Sequence, residues 1–219
     1  MGITVNQLPV RQFFKNCKSQ LLQDFFVLSE LNFKRNGFFV EFGANRGIVE
    51  SNTFMLEKDF DWTGILAEPA RVCHSELFRN RPNCKIETDC VWKESNVTLE
   101  FRESNTSSFV STIEEFKNYE LDSRQIDGIV YNVNTISLID LLNKYHAPKI
   151  IDYLSIDTEG SEFEILNNFD WDQYQFKIIT CEHNYTPMRE NIFKLLASKG
   201  YQRKFTDLSH IDDWYVLEN

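Results

Sequence analysis

Residues 38–47 read Phe-Phe-Val-Glu-Phe-Gly-Ala-Asn-Arg-Gly, and this stretch decides the fold. Residues 38–42 are a short, mostly apolar run, as expected of a parallel strand buried on both faces. The run ends in a loop between Gly43 and Gly47, and a helix is expected over 51–58. The pattern then repeats. Residues 63–67 form a second strand, 71–80 a helix stopped by Arg81–Pro82, and 85–92 a third strand. Toward the N-terminus, Leu21, Leu22, Phe25, Leu28 and Leu31 fall at helical spacing, which predicts a helix over 18–35 with Gly37 as its C′ residue.

Toward the C-terminus, residues 96–102 alternate Val97, Leu99 and Phe101 inward, as in an antiparallel strand. Residues 103–127 are polar and rich in Ser, Asn and Glu, the best candidate for a lid or substrate loop, with Phe109 and Phe116 as possible acceptor contacts. A strand over 128–135 leads to Ser137 and Asp140, a capping box that opens a helix at 138–145. A strand at 150–156 is followed by a second box, Ser161 with Glu164, and a helix at 162–168. A strand at 176–181, a helix at 188–199 between Thr186–Pro187 and Gly200, and a hairpin of 201–205 with 214–217 complete the chain. Strands alternating with helices predict an α/β domain with a largely parallel sheet and helices on both faces. Residues 1–36 read as an N-terminal helical cap and 37–219 as the main domain.

The 219 residues suffice for one full core, and 42% hydrophobic with 26% charged residues is a globular composition. No apolar run reaches the ~18 residues of a membrane helix, so no membrane insertion is expected. Met1–Val5 lacks a basic patch before an apolar block, so no secretory leader is expected and the cytoplasm is the simplest compartment. The five cysteines, odd in number and without a CxxC, suit a reducing compartment and argue against a thiolate zinc site. Thirty-three acids against 23 bases give a net charge of −10, which argues against a nucleic-acid partner and permits a cationic ligand.

In such a sheet, ligands bind outside the carboxyl ends of the strands. The residues there are Glu41 to Gly47, Glu68–Pro69, Asp89–Cys90, Asp157 to Gly160 and Glu182 to Asn184. The first loop is small and glycine-bearing, which lets a cofactor press on the backbone, although an ordinary strand–helix turn reads the same. Glu68, 27 residues after Glu41, stands where an acid accepts hydrogen bonds from ribose hydroxyls. A carboxylate at Glu41 would repel the pyrophosphate of NAD or FAD and favour an ammonium and a sulfonium, as in S-adenosylmethionine.

The ordered blocks FFVEFGANRG, SNTFMLE, WTGILAEP, NTISLIDLL and IDYLSIDTEGSEFEIL, with Ser19–Asp24 ahead of them, resemble the FkbM-type methyltransferases over about residues 19–217. The resemblance implies the class I, Rossmann-like methyltransferase fold, a mixed, mostly parallel seven-stranded sheet with a C-terminal antiparallel hairpin. It implies methylation, usually of a hydroxyl, on sugars or secondary metabolites. Carried over by position, Glu41, Gly43, Ala44, Asn45 and Gly47 would surround the methionine moiety, and Asn52 and Thr53 its carboxylate. Glu68 and Pro69 would lie at the ribose, and Asp89 and Cys90 at the adenine.

Asp157 and Glu159 follow the strand where the acceptor would meet the cofactor, and Glu182 and His183 follow the next. A hydroxyl needs a base or a metal to react at neutral pH. Either His183 or Glu159 takes the proton directly, or Asp157 and Glu182 share a Mg²⁺ as in catechol-type methyltransferases. The leading expectation is an S-adenosylmethionine-dependent O-methyltransferase acting on a small-molecule or sugar acceptor. The alternative is a non-catalytic module that keeps the fold and the cofactor pocket.

Overall fold

The computed structural model of the chain describes residues 14–104, 111–116 and 128–218. A seven-stranded sheet runs in the order β10-β11-β9-β8-β1-β2-β3, from strands Phe38–Phe42 (β1), Thr63–Ala67 (β2), Lys85–Glu87 (β3), Ile150–Ile156 (β8), Gln175–Glu182 (β9), Tyr201–Lys204 (β10) and Asp212–Leu217 (β11). The five strands from β3 to β9 are parallel, and β11 pairs antiparallel with both β9 and β10. Val40 sits between Ile65 on one side and Leu154 on the other, so the strand order reverses at β1. The carboxyl ends of β1 and β8 therefore frame the crevice where an open α/β sheet binds ligands.

Helices cover both faces because side chains alternate along each strand. Val40, Ile65, Leu154 and Ile179 share one core with Leu141 and Leu142 of α4 (Leu138–Lys144), Ile165 of α5 (Glu162–Asn167) and Leu196 of α6 (Met188–Ser198). Phe39, Leu66, Tyr153 and Ile178 share the other with Val27 of α1 (Gln23–Glu30), Leu56 of α2 (Phe54–Phe60) and Leu77 of α3 (Arg71–Asn80). Thus α1 joins the core of the sheet directly. Gly64 is needed there, since a Cβ on it would stand 2.3 Å from Phe39.

A second sheet, in the order β4-β7-β5-β6, comes from Cys90–Trp92 (β4), Thr98–Ser104 (β5), Thr112–Ile113 (β6) and Gly128–Ser137 (β7). Phe101, Val133, Trp92 and Ile113 pack it against Ala70 and Cys73 at the start of α3. Val97, Leu99 and Phe101 turn inward as their alternation predicts.

Four expectations are corrected. The single strand over 85–92 is two strands in two sheets. The buried Glu87 carboxylate accepts the N–H groups of Thr88 and Asp89, bending the chain between them. The helix over 18–35 shrinks to α1, because the buried Asp24 draws Cys17, Ser19 and the Lys18 N–H onto its carboxylate and holds that segment out of a helix. Gly37 is not a cap but makes room for the Trp62 ring, 2.5 Å from where its Cβ would be. The Ser161–Glu164 box does not form, for Ser161 makes no capping bond and Glu162 instead accepts the Thr158 and Gly160 N–H groups. The Ser137 cap forms as expected, accepting the Asp140 N–H at 3.2 Å. Of the polar stretch 103–127, Phe116 packs on Trp92, while Phe109 and most of the expected lid lie outside the described residues.

Candidate active site

A cleft opens at the β1–β8 crevice. Its walls come from Phe42, Gly43, Asn45, Val49 and Glu50 after β1, from Ala67 to Ala70 after β2, and from Cys90 and Val91 of β4. Asp157, Thr158, Glu159 and Ser161 follow β8, and Phe101, Ser111 and Ile113 of the second sheet close the far side. Gly43 is left-handed, φ 71°, and a Cβ there would lie 2.0 Å from the Asp157 carbonyl. Only glycine lets the two loops meet so closely.

Glu68 is buried at the cleft wall. Its oxygens accept the Asn45 and Ala70 N–H groups, each at 2.8 Å, so the carboxylate ties the first loop to the start of α3. Burial pushes its pKa up to about 7, against the pull of those two bonds. Cys90 lines the cleft beside it, with its thiol raised to about 12 by burial and by the charges of Glu68 and Asp89.

One carboxylate oxygen each of Asp157, Glu159 and Glu182 gather within 4.8 Å of one another. Asp157 is pushed up to about 8 by burial and then by the charge of Asp212, against a hydrogen bond from Glu182. Glu182 is raised well above the usual carboxylate range by burial and by Asp157. Like charges this close resist joint ionisation, so the pair holds a proton near neutral pH. Gln23 reaches in from α1 to donate to Asp212 at 2.7 Å, which gives the Ser19–Asp24 segment its connection to the site.

Several residues read as site residues stand elsewhere. Glu41, 3% exposed, does not line the cleft. It accepts the Asn52 N–H and the Ser51 and Thr53 hydroxyls, and Arg81 lies 3.9 Å away. Asn52 and Thr53 thus belong to the Glu41 network, Asn52 also donating its Nδ2 to the Ser155 hydroxyl, and α2 starts at Phe54 with Thr53 as its N-cap. The preference for a cationic cofactor drawn from Glu41 has no support in this geometry, because Arg81 neutralises that charge. Ala44 is in the core, and Gly47, at φ 80°, packs on Arg81 and Leu77. Asp89 is half-buried outside the cleft lining. His183 stands outside it too. Its Nδ1 accepts the Tyr185 N–H at 2.9 Å and its Nε2 faces Asp213 at 3.7 Å, while burial lowers its pKa.

Arg81, which the sequence marks only as a helix stop, has a larger part in the structure. It is wholly buried and donates to Glu57, to the Gly47 carbonyl and to the Ser51 and Thr53 hydroxyls. No local pattern marks a buried arginine, because its partners lie 24 to 34 residues away. Ser111 and Ile113, within the stretch 103–127 expected to form a lid or substrate loop, line the cleft, though no local signal singles out these two.

Residues 41–208 match the methyltransferase FkbM domain family. The chain is 27% identical over 198 residues to the methyltransferase sdnD of Sordaria araneosa, covering 78% of this chain and 75% of that protein. The METTL16 MTase domain superposes with a TM-score of 0.50 at 10% identity, over 95% of this chain and 75% of the other, a likeness of fold alone. Among the described residues no helix is long and apolar enough to cross a membrane.

Proposed function

Since the chain belongs to the FkbM methyltransferase family and is an S-adenosylmethionine-dependent methyltransferase, we propose that it methylates a hydroxyl of a small molecule or sugar. The observation that carries this reading is the carboxyl cluster of Asp157, Glu159 and Glu182 beside the cleft that Glu68 walls. Bound S-adenosylmethionine supplies an electrophilic methyl group on a positively charged sulfur. Glu68, its oxygens already anchored by two N–H groups, keeps lone pairs for the ribose hydroxyls. Pro69, Ala67, Cys90 and Val91 would line the adenine of the bound cofactor, and Gly43 and Asn45 its methionine moiety.

An alcohol is a poor nucleophile, so its proton must leave as its oxygen attacks. Asp157 is the base in this reading. It lines the cleft, and its raised pKa brings proton affinity near that of the medium, where general bases work best. It acts in its ionised form, which gains population as the pH nears 8, and the proton it takes leaves to solvent through the cleft it lines. Oxygen donors of Asp157, Glu159 and Glu182 would also fit a divalent cation such as Mg²⁺, which would polarise the acceptor oxygen. The base reading is preferred because Asp157 already shares a hydrogen bond with Glu182.

The test is transfer of a labelled methyl group to a panel of neutral polyols, glycosides and phenols, with and without EDTA. A methyl ether as product, formed within about twofold of the same rate in EDTA, supports the base. Activity lost in EDTA and restored by Mg²⁺ assigns the cluster to a metal. A methyl group found on nitrogen or carbon overturns the hydroxyl assignment.

A further inference from the structure

We propose that Glu162 is a positioning residue for methyl transfer: from behind the cleft, its carboxylate clamps the loop over residues 157–160 and so aims the Asp157 and Glu159 carboxyls at the reacting groups. This rests on reading that loop as part of the methyl-transfer site. Glu162 is buried and does not line the cleft. One of its oxygens accepts three donors, the Thr158 N–H and hydroxyl at 2.9 Å each and the Gly160 N–H at 3.0 Å. The other oxygen shares the Gly160 N–H at 3.1 Å. The Ser161 hydroxyl donates to Thr158 Oγ1 at 2.7 Å and so turns that hydroxyl's own proton toward Glu162. The two N–H groups that flank Glu159 in the chain are thus both held by one carboxylate.

The clamp holds a backbone that the loop would not keep by itself. Glu159 is left-handed, φ 57°, and Gly160 follows at φ 122°. A residue with a Cβ takes the left-handed region at a cost, and such a conformation persists where its surroundings enforce it. Glycine would take it freely, so what glutamate adds at 159 is its carboxylate, one oxygen of which gathers with those of Asp157 and Glu182. On the other side of the loop, the Glu159 carbonyl accepts the buried Thr112 hydroxyl of β6 at 2.9 Å, and Gly43 abuts the Asp157 carbonyl. Misplacing a catalytic group by about 1 Å costs roughly 10²-fold in rate. A clamp on this loop therefore acts on the transfer step, while Glu68 and the walls after β1 and β2, which would hold the cofactor, stay as they are.

The experiment separates the reach of Glu162 from its charge, which also adds to the proton affinity of Asp157 and Glu182. Glu162→Gln keeps an acceptor oxygen at full length without the charge. Glu162→Asp keeps the charge but falls short by one carbon–carbon bond, about 1.5 Å. Methyl transfer is measured on the polyol, glycoside or phenol that the native chain methylates. Calorimetry with the demethylated cofactor and amide hydrogen exchange at Thr158 and Gly160 run beside it. Glu162→Gln should keep kcat within about threefold, whereas Glu162→Asp should lower it about 10- to 100-fold, with cofactor affinity within about threefold of native in both. Exchange at the two amides should quicken at least about tenfold in Glu162→Asp and stay near native in Glu162→Gln. The opposite order of rates assigns Glu162 to charge and overturns the proposal, as does a native rate in Glu162→Asp or a cofactor affinity that falls in step with kcat. If no compound is methylated, exchange decides: protection lost in Glu162→Asp alone supports the clamp, and protection kept there overturns it. If Glu162→Asp does not fold, Glu162→Met, which removes both oxygens at similar length, takes its place with the same outcomes. A methyl group on nitrogen or carbon with the same split between the variants overturns the hydroxyl reading and leaves the clamp standing. A methyl ether without the split overturns the clamp alone.

Discussion

Two groups of carboxylates sit at the carboxyl ends of the neighbouring strands β1 and β8, and they are built oppositely. Glu41 near the end of β1 has three donors and the Arg81 guanidinium at 3.9 Å. Asp157, just beyond β8, has other acids, Glu159, Glu182 and Asp212, as its charged surroundings. Burial raises both carboxyls. At Glu41 Arg81 and the hydrogen bonds pull the pKa back, whereas at Asp157 the charge of Asp212 adds to the rise. The first group is closed and ties loop to sheet. The second keeps its proton affinity high and opens onto the cleft, the arrangement expected of groups that do chemistry.

Breaking the closed group should have the largest effect. Arg81→Met leaves Glu41 and one oxygen of Glu57 buried without their cation. Removing one partner of a buried ion pair costs about 3–5 kcal/mol. Urea unfolding should show a loss of that size, and Glu41→Gln in the same chain should restore much of it. A loss below about 1 kcal/mol would make the guanidinium a bystander and remove the contrast between the groups.

Breaking the open group should cost activity instead of stability. Asp157→Asn should lower methyl transfer about 10²- to 10⁴-fold, the range for losing a general base. Its effect on folding depends on pH, and the direction follows from the raised pKa. The folded state holds the Asp157 proton between about pH 4 and about pH 8 while the unfolded chain has lost it. Stability from this group is therefore full below pH 4 and falls as pH rises toward 8. Because the carboxyl opens onto a cleft, the slope should be a fraction of the roughly 1.4 kcal/mol per pH unit of one whole proton. Asp157→Asn should flatten that slope in denaturation measured across this range. An unchanged slope would place the shared proton elsewhere.

The same contrast explains what the sequence could disclose. Residues 38–42, 63–67, 71–80 and 150–156 are the strands and helix foreseen, because apolar runs and a proline stop are local signals. The cleft loops follow from those strands, so Gly43, Asn45, Glu68, Pro69, Cys90, Asp157 and Glu159 fall where strand ends place them. What pattern could not show was direction. Glu41 alternates along β1 like any strand residue, but whether its charge faces a ligand or an arginine depends on Arg81, 40 positions away. His183 follows β9 as expected, yet Tyr185 and Asp213 claim its ring. Glu87 lies in the mixed stretch Lys85-Ile-Glu-Thr-Asp89, and its carboxylate turns back onto the Thr88 and Asp89 N–H groups, which ends the strand there.

Glu68 lies between the two groups in character, and the smallest predicted effect belongs to it. It is buried and hydrogen-bonded like Glu41, yet it walls the cleft like Asp157, and among the described residues no cation pairs with it. Glu68→Gln keeps the shape and one acceptor oxygen, so either the Asn45 or the Ala70 N–H retains its partner. What it removes is the charge that strengthens hydrogen bonds from ribose hydroxyls, where a charged acceptor exceeds a neutral one by about 1–1.5 kcal/mol. Calorimetric titration with the demethylated cofactor should therefore show binding weakened about tenfold, with the fold intact. The native chain should show a related loss without mutation. Its Glu68 pKa of about 7 means that the carboxylate is largely protonated below that pH, and cofactor affinity should fall as the pH drops through it. In Glu68→Gln that dependence should vanish. A variant that binds as tightly as the native chain, or that keeps its pH dependence, would leave Glu68 as a loop anchor of the Glu41 kind and would move the ribose contact to another wall of the cleft.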